Sequence, residues 1–281
     1  MDAGAPNPPI EGPDNPYDPR SFDSPFVRAI APPLVAASAI LLKMSPLGFF
    51  LEGFHVWIHE VGHASVAWLS SRPAVPLPFG WTNVEPDRSL VLYLVILAAL
   101  GFMALTGWRE RKAWPMILAA ALICVQTLMT WRLGEDRAHE WMIFGGVGGE
   151  FCLSAAMMGL FFFEFPEWFR WETCRYIVLF IGAASFSESY SFWKDVKRGA
   201  EGLPYGSMIN GEDDGGGDMN ILVDDYHWAQ HRIVFTYNHL ADACLVAIVV
   251  IYLFFNLRLN RVFNPLLARL YSVGLANPPG R

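Results

Sequence analysis

The 281-residue chain is poor in charge and in cysteine. Asp, Glu, Lys and Arg make up 17% of it, too few to coat a soluble globule of this size. The net charge of −7 comes without a basic cluster, so no nucleic acid is expected as a partner. The four cysteines, Cys124, Cys152, Cys174 and Cys244, lie in or beside apolar stretches and form no C-x-x-C pair; they read as small buried hydrophobes. The N-terminus has no basic segment leading into an apolar one, so no cleavable signal peptide is expected. The acidic run from Gly211 to Asp218 lacks EF-hand spacing and a closing Glu, and reads as a solvated loop. Paired broken helices and repeat symmetry are not apparent, which argues against a transporter.

What is present is hydrophobic, and in long blocks. Apolar residues make up 53% of the chain, with 21 Phe and 11 Trp. Their grouping predicts an all-α, polytopic integral membrane protein with about seven transmembrane helices, joined by short loops. The expected spans are 26–42, 47–71, 90–107, 113–131, 141–165, 174–193 and 227–255. Residues 1–25, with six prolines between Pro6 and Pro19, read as an extended arm. Residues 26–257 form the transmembrane domain, and 258–281 a basic tail with Arg258, Arg261 and Arg269. Arg132 to Glu140 reads as a charged connector. The lipid bilayer is an expected partner.

One stretch carries chemistry. Gly53-Phe54-His55-Val56-Trp57-Ile58-His59-Glu60-Val61-Gly62-His63-Ala64 contains H-E-x-x-H within apolar flanks. Residues four apart share a helix face, so His59 and His63 can offer two imidazoles to one metal ion. Glu60, one position on, is placed to act as a general base without being a ligand. His55 extends the row. The bland alternative is a pair of core histidines, but imidazoles and acids in an apolar helix are costly and are usually functional.

The form His59-Glu60-Val61-Gly62-His63-Ala64, in a hydrophobic segment, resembles the active-site helix of the site-2 protease family, zinc proteases that cut within the membrane. The resemblance is sharp over about a dozen residues. It implies Zn2+ as cofactor, His59 and His63 as ligands and Glu60 as the base. It also implies a hairpin or re-entrant loop near the substrate after this helix, a part that Pro76 to Trp81 can play.

A catalytic zinc needs a third protein ligand and an open position. The family usually takes an Asp from an L-D-G motif on a later helix, and no such motif lies within a span here. Glu150, beyond the glycines of Gly145-Gly146-Val147-Gly148-Gly149, is the first choice, since a lone carboxylate in an apolar span needs a partner. Asp242 and His231 are the alternatives, in a region that also holds His227 and His239. Glu188 reads as a residue that joins helices. The expected function is hydrolysis of peptide bonds in membrane-embedded substrates, in a membrane such as the bacterial inner membrane. The alternative is a protease-like scaffold subunit among neighbouring membrane subunits, without catalysis.

Overall fold

The computed structural model of the chain describes residues 17–110, 112–165, 171–206 and 215–259. Among them are eight α-helices, one 3₁₀ turn and one two-stranded hairpin. In chain order these are α1 (Pro25–Lys43), the 3₁₀ turn Pro46–Gly48, α2 (Phe49–Leu69), β1 (Ala74–Leu77), β2 (Trp81–Val84), α3 (Leu90–Arg109), α4 (Ala113–Trp131), α5 (Glu135–Leu160), α6 (Trp171–Arg198), α7 (Asp218–Asp224) and α8 (Gln230–Asn256). Most of the N-terminal arm, the first half of the acidic run and nearly all of the basic tail lie outside the described residues.

Five of these helices, α1, α3, α4, α5 and α8, are long and apolar enough to cross a membrane. The chain is thus a helical membrane protein, though length and composition do not give the expected seven spans. The two that fall short are α2 and α6, and the reason is chemical. Helix α2 carries Glu52, His55, His59, Glu60 and His63, and α6 carries Glu172, Arg175, Glu188, Lys194 and Asp195. Of these, His55, His59, Glu60, His63, Arg175, Glu188 and Lys194 have partners within the protein.

Helix α1 begins at Ser24, whose hydroxyl accepts the Val27 amide, with Pro25 following it. Pro32 and Pro33 lie inside this helix. Each removes a backbone bond, which would orphan the carbonyls of Arg28 and Ala29. Helix α8 supplies replacements: Tyr252 donates its hydroxyl to Ala29 at 2.9 Å, and Asn256 donates its amide to Arg28 at 3.4 Å. Irregular backbone is thus satisfied by a neighbouring helix.

The expected connector 132–140 is a connector only to Gly134. Glu135 and Asp136 open α5, where acids suit the helix dipole. Glu135 also pairs with Arg72 and, at 3.1 Å, with Arg88. Arg88 reaches the Thr130 and Leu133 carbonyls as well, so one cluster ties the ends of α2, α4 and α5 together.

The largest apolar core lies between α5, α6, α7 and α8. It includes Phe151, Phe186, Trp193, Met219, Leu222, Ile233 and Tyr237. The short α7 was missed in the sequence, where its apolar residues lay next to an acidic run. Met219 and Leu222, three apart, drive it into this core almost completely buried. The hairpin pairs Ala74 with Val84 and Pro76 with Thr82, and turns through Gly80 at φ +80°. Its first strand is held to α2 by the Trp68 indole, which donates to the Ala74 carbonyl.

Candidate metal centre

The site is built where α2 crosses α5. Gly62, the small residue of H-E-V-G-H, meets Gly145 and Gly149, which are four apart on α5. A Cβ on Gly62 would strike the Gly145 carbonyl, and one on Gly149 would lie 2.5 Å from Gly62 Cα. The two backbones can be this close only because none of the three has a side chain. Between them, Gly146 faces the imidazoles. A Cβ there would lie 2.5 Å from Asp218 Oδ2, 2.6 Å from His59 Nε2 and 2.6 Å from His63 Cε1. Glycine at 146 leaves open a space lined by three potential ligands.

Those three atoms form a near-equilateral triangle. His59 Nε2 and His63 Nε2 are 3.2 Å apart. Asp218 Oδ2 lies 3.1 Å from the first and 3.2 Å from the second. Zinc bound tetrahedrally at about 2.0–2.1 Å sets its ligand atoms about 3.3 Å apart, so the spacing fits. The tautomer fits too. His63 Nδ1 lies 2.7 Å from the Met142 carbonyl, which can only accept, so Nδ1 carries the proton. In the neutral ring Nε2 then presents a lone pair toward His59 and Asp218, as metal-ligating histidines do. Asp218 enters as the first residue of α7, positioned by the burial of Met219 and Leu222 and by Asn220, which accepts the Gly206 amide at 2.8 Å. Burial alone would raise its carboxyl; when the metal-free His63 and His59 rings are protonated, their charge and hydrogen bonds outweigh this and hold it below the usual carboxylate range.

Glu60 sits next to this triangle. One ligand atom each of His59, Glu60 and His63 falls within 4.8 Å of the others. The Glu60 side chain is buried, and Thr82 of β2 donates to its Oε2 at 2.5 Å. The hairpin after the H-E-x-x-H helix therefore reaches the carboxylate directly, through a residue the sequence did not single out.

Neither a family model nor a curated protein nor a solved structure matches this chain.

The expected third ligands are placed elsewhere. Glu150 lies behind the histidines, on the Nδ1 side: Oε1 is 2.5 Å from His55 Nδ1, and Oε2 is 3.8 Å from His59 Nδ1. Ser185 and Ser189 of α6 both donate to it. It is thus a buried carboxylate that pairs closely with His55 and lies behind the His59 ring. Asp242 is occupied in the seam between α6 and α8, accepting from Lys194 at 2.7 Å and Tyr190 at 3.0 Å. His231 and His239 line an open cleft of about 500 Å³ with Lys197 and Glu201. Glu188 pairs with Lys43 at 3.4 Å, joining α6 to α1 as expected. The carboxylate that meets both Nε2 atoms is Asp218. The acidic run was read as solvated, and its last residue is the exception. The available signal was the segment that follows, Asp218-Met219-Asn220-Ile221-Leu222-Val223, whose apolar spacing marks a short buried helix.

Proposed function

We propose that this chain is a zinc metalloprotease-like protein that hydrolyses peptide bonds of membrane-embedded substrates. The observation that carries this reading is the triangle of His59 Nε2, His63 Nε2 and Asp218 Oδ2, with Glu60 beside it. His59, His63 and Asp218 would hold the metal, and Gly146 leaves room for it. Bound zinc supplies Lewis acidity, which polarises a carbonyl and brings the pKa of water toward neutrality. Glu60 takes the proton from the attacking water and returns it to the leaving amine as the C–N bond breaks. Thr82 holds one oxygen of Glu60, leaving the other to take the proton. Met142 fixes the His63 ring from behind, and the Glu150 carboxylate lies behind His59.

We place α2 and α6 within the membrane alongside the five apolar helices, giving seven. In support, α2 packs along α5, and α6 packs against α1, α5 and α8. Packed between spans, His55, His59, Glu60, His63, Arg175 and Lys194 would meet protein partners rather than lipid.

The test is Glu60→Gln in the purified full chain in detergent. The wild type should carry about one zinc per chain and cut single-span peptides containing a helix-breaking pair, detected by mass spectrometry. The variant should keep its zinc and lose at least about 100-fold in rate. Wild-type protein without zinc would favour a scaffold subunit instead, and full activity in the variant would dispose of the mechanism.

A further inference from the structure

The cleft of about 500 Å³ between the end of α6 and the start of α8 shares no lining residue with the metal centre. Its shape follows from how α6 stops. After Arg198 the chain turns through Gly199 at φ +75°, and the Ala200 and Glu201 amides both reach back to the Asp195 carbonyl, at 2.9 and 3.4 Å. This turn sets Glu201 and Leu203 beside Lys197 of the last helical turn. Val234, Phe235 and His239 of α8 form the facing wall. Leu203 and Val234 also pack against the largest apolar core, so the floor of the cleft is fixed.

Two opposite charges face this space without using each other. The neighbouring charges are satisfied: Lys194 pairs with Asp242 at 2.7 Å, and Arg198 pairs with Asp195. Lys197 and Glu201 are exposed and form no ion pair among the described residues. His239 adds an acceptor. Its ring stacks on Phe235 at 3.8 Å between centroids, and its Nδ1 lies 2.9 Å from the Phe235 carbonyl. A carbonyl only accepts, so Nδ1 carries the proton and Nε2 of the neutral ring has a lone pair to offer.

Below the cleft the same face of α8 becomes apolar. Phe235, His239, Asp242, Val246, Val249 and Leu253 recur at three- and four-residue spacing, which puts them on one side of the helix. Phe235, Val246, Val249 and Leu253 are exposed. Polar groups thus end at Asp242, and an open apolar stripe runs on from there along a membrane-spanning helix. That order, charges above and hydrocarbon below, is the order of groups in a phospholipid.

We propose that this cleft binds one phospholipid whose headgroup is zwitterionic and carries a primary amine. The phosphate lies on Lys197, the ammonium on Glu201 and His239 Nε2, and an acyl chain along Phe235, Val246 and Val249. An anionic headgroup would satisfy Lys197 and leave Glu201 opposed to it. A quaternary ammonium has no N–H to donate to either acceptor. A soluble zwitterion would leave the apolar stripe uncovered. The site stands apart from the hydrolytic reading above and survives its failure.

The experiment uses the delipidated full chain in detergent, with phosphatidylethanolamine, phosphatidylcholine and phosphatidylglycerol of identical acyl chains as probes. Bound lipid is counted by native mass spectrometry, and thermal unfolding is followed in parallel. Phosphatidylethanolamine should bind one per chain and raise the unfolding temperature, as any ligand of the folded state does. The other two should bind at least about tenfold more weakly. Glu201→Gln should weaken phosphatidylethanolamine about tenfold and leave phosphatidylcholine unchanged. Lys197→Gln should weaken both by about the same factor. Both variants alter exposed side chains and should unfold as the lipid-free wild type does. Equal binding of the three lipids, or variants that bind as wild type does, would overturn the proposal. Glycerophosphoethanolamine binding as tightly as the whole lipid would overturn it in favour of a soluble ligand. A dimer that Lys197→Gln dissolves would overturn it in favour of a second copy of this chain.

Discussion

Gly62 and Gly149 touch backbone to backbone, with no room for a methyl group on either. This contact sets the distance between α2 and α5, and so the distance between the histidines and Gly146. Gly149→Ala should force the helices apart and lower stability by about 1–3 kcal/mol, the usual cost of overpacking. Thermal unfolding in detergent would measure it; an unchanged midpoint would mean that the helices meet elsewhere.

Gly146→Ala should behave differently. Its added methyl would point at Asp218, His59 and His63, at contact distances shorter than atoms tolerate. The expected result is a folded protein with near wild-type unfolding and zinc content well below one per chain. Full zinc occupancy with the alanine in place would show that the metal binds away from this triangle.

The two carboxylates near the histidines should separate cleanly. Asp218→Asn removes a charged ligand and should abolish stoichiometric zinc. Glu150→Gln leaves all three ligand atoms in place and loses only their support, so zinc should bind about 10–100-fold more weakly. Competition against a chelator of known affinity would rank the two. The reverse ranking would restore Glu150 as the ligand.

Thr82→Val should leave zinc content alone and reduce cleavage, because Glu60 loses the hydroxyl that orients it. Removing one hydrogen bond to a charged group is worth about 1.5–3 kcal/mol, roughly 10- to 150-fold in rate. Unaltered kcat in Thr82→Val would mean that the hairpin does not steer the base.

Zinc and protons compete for His59 and His63. Protons bind the metal-free rings, so falling pH stabilises the empty state and weakens zinc. Where both metal-free rings are protonated, the apparent affinity should fall by up to about 100-fold per pH unit, two protons being displaced per ion. Zinc titrations between pH 5 and 8 would give the slope; a flat profile would mean that histidines are not the ligands.

The helices were easy to read because apolar blocks in a membrane protein are long and end at charged or prolyl residues. The predicted 113–131 coincides with α4, and the other predicted stretches match helices that differ from them at their ends, five of the seven being apolar enough to cross a membrane. His59, Glu60 and His63 were equally legible, since four-residue spacing on one helix is a local property. Asp218 was not. It lies 155 residues from His63 in sequence, and its approach depends on how α7 packs into a core formed by three other helices. Glu150 was recognised as a buried acid needing a partner, and it has partners; what the sequence did not contain was which side of the imidazoles it faces. Thr82 was hidden for a similar reason, because a threonine in a prolyl loop looks ordinary until the register of the hairpin is known.

The start of α6 bears on how this protein is handled in the laboratory. Arg175 is almost entirely buried and donates to the Pro19 and Ser21 carbonyls at 2.7 and 3.1 Å, with its guanidinium against the rings of Phe22 and Phe161. Trimming the leading two dozen residues, or replacing them with a purification tag, would strand a cation in an apolar wall. Fusions should therefore be joined upstream of Tyr17.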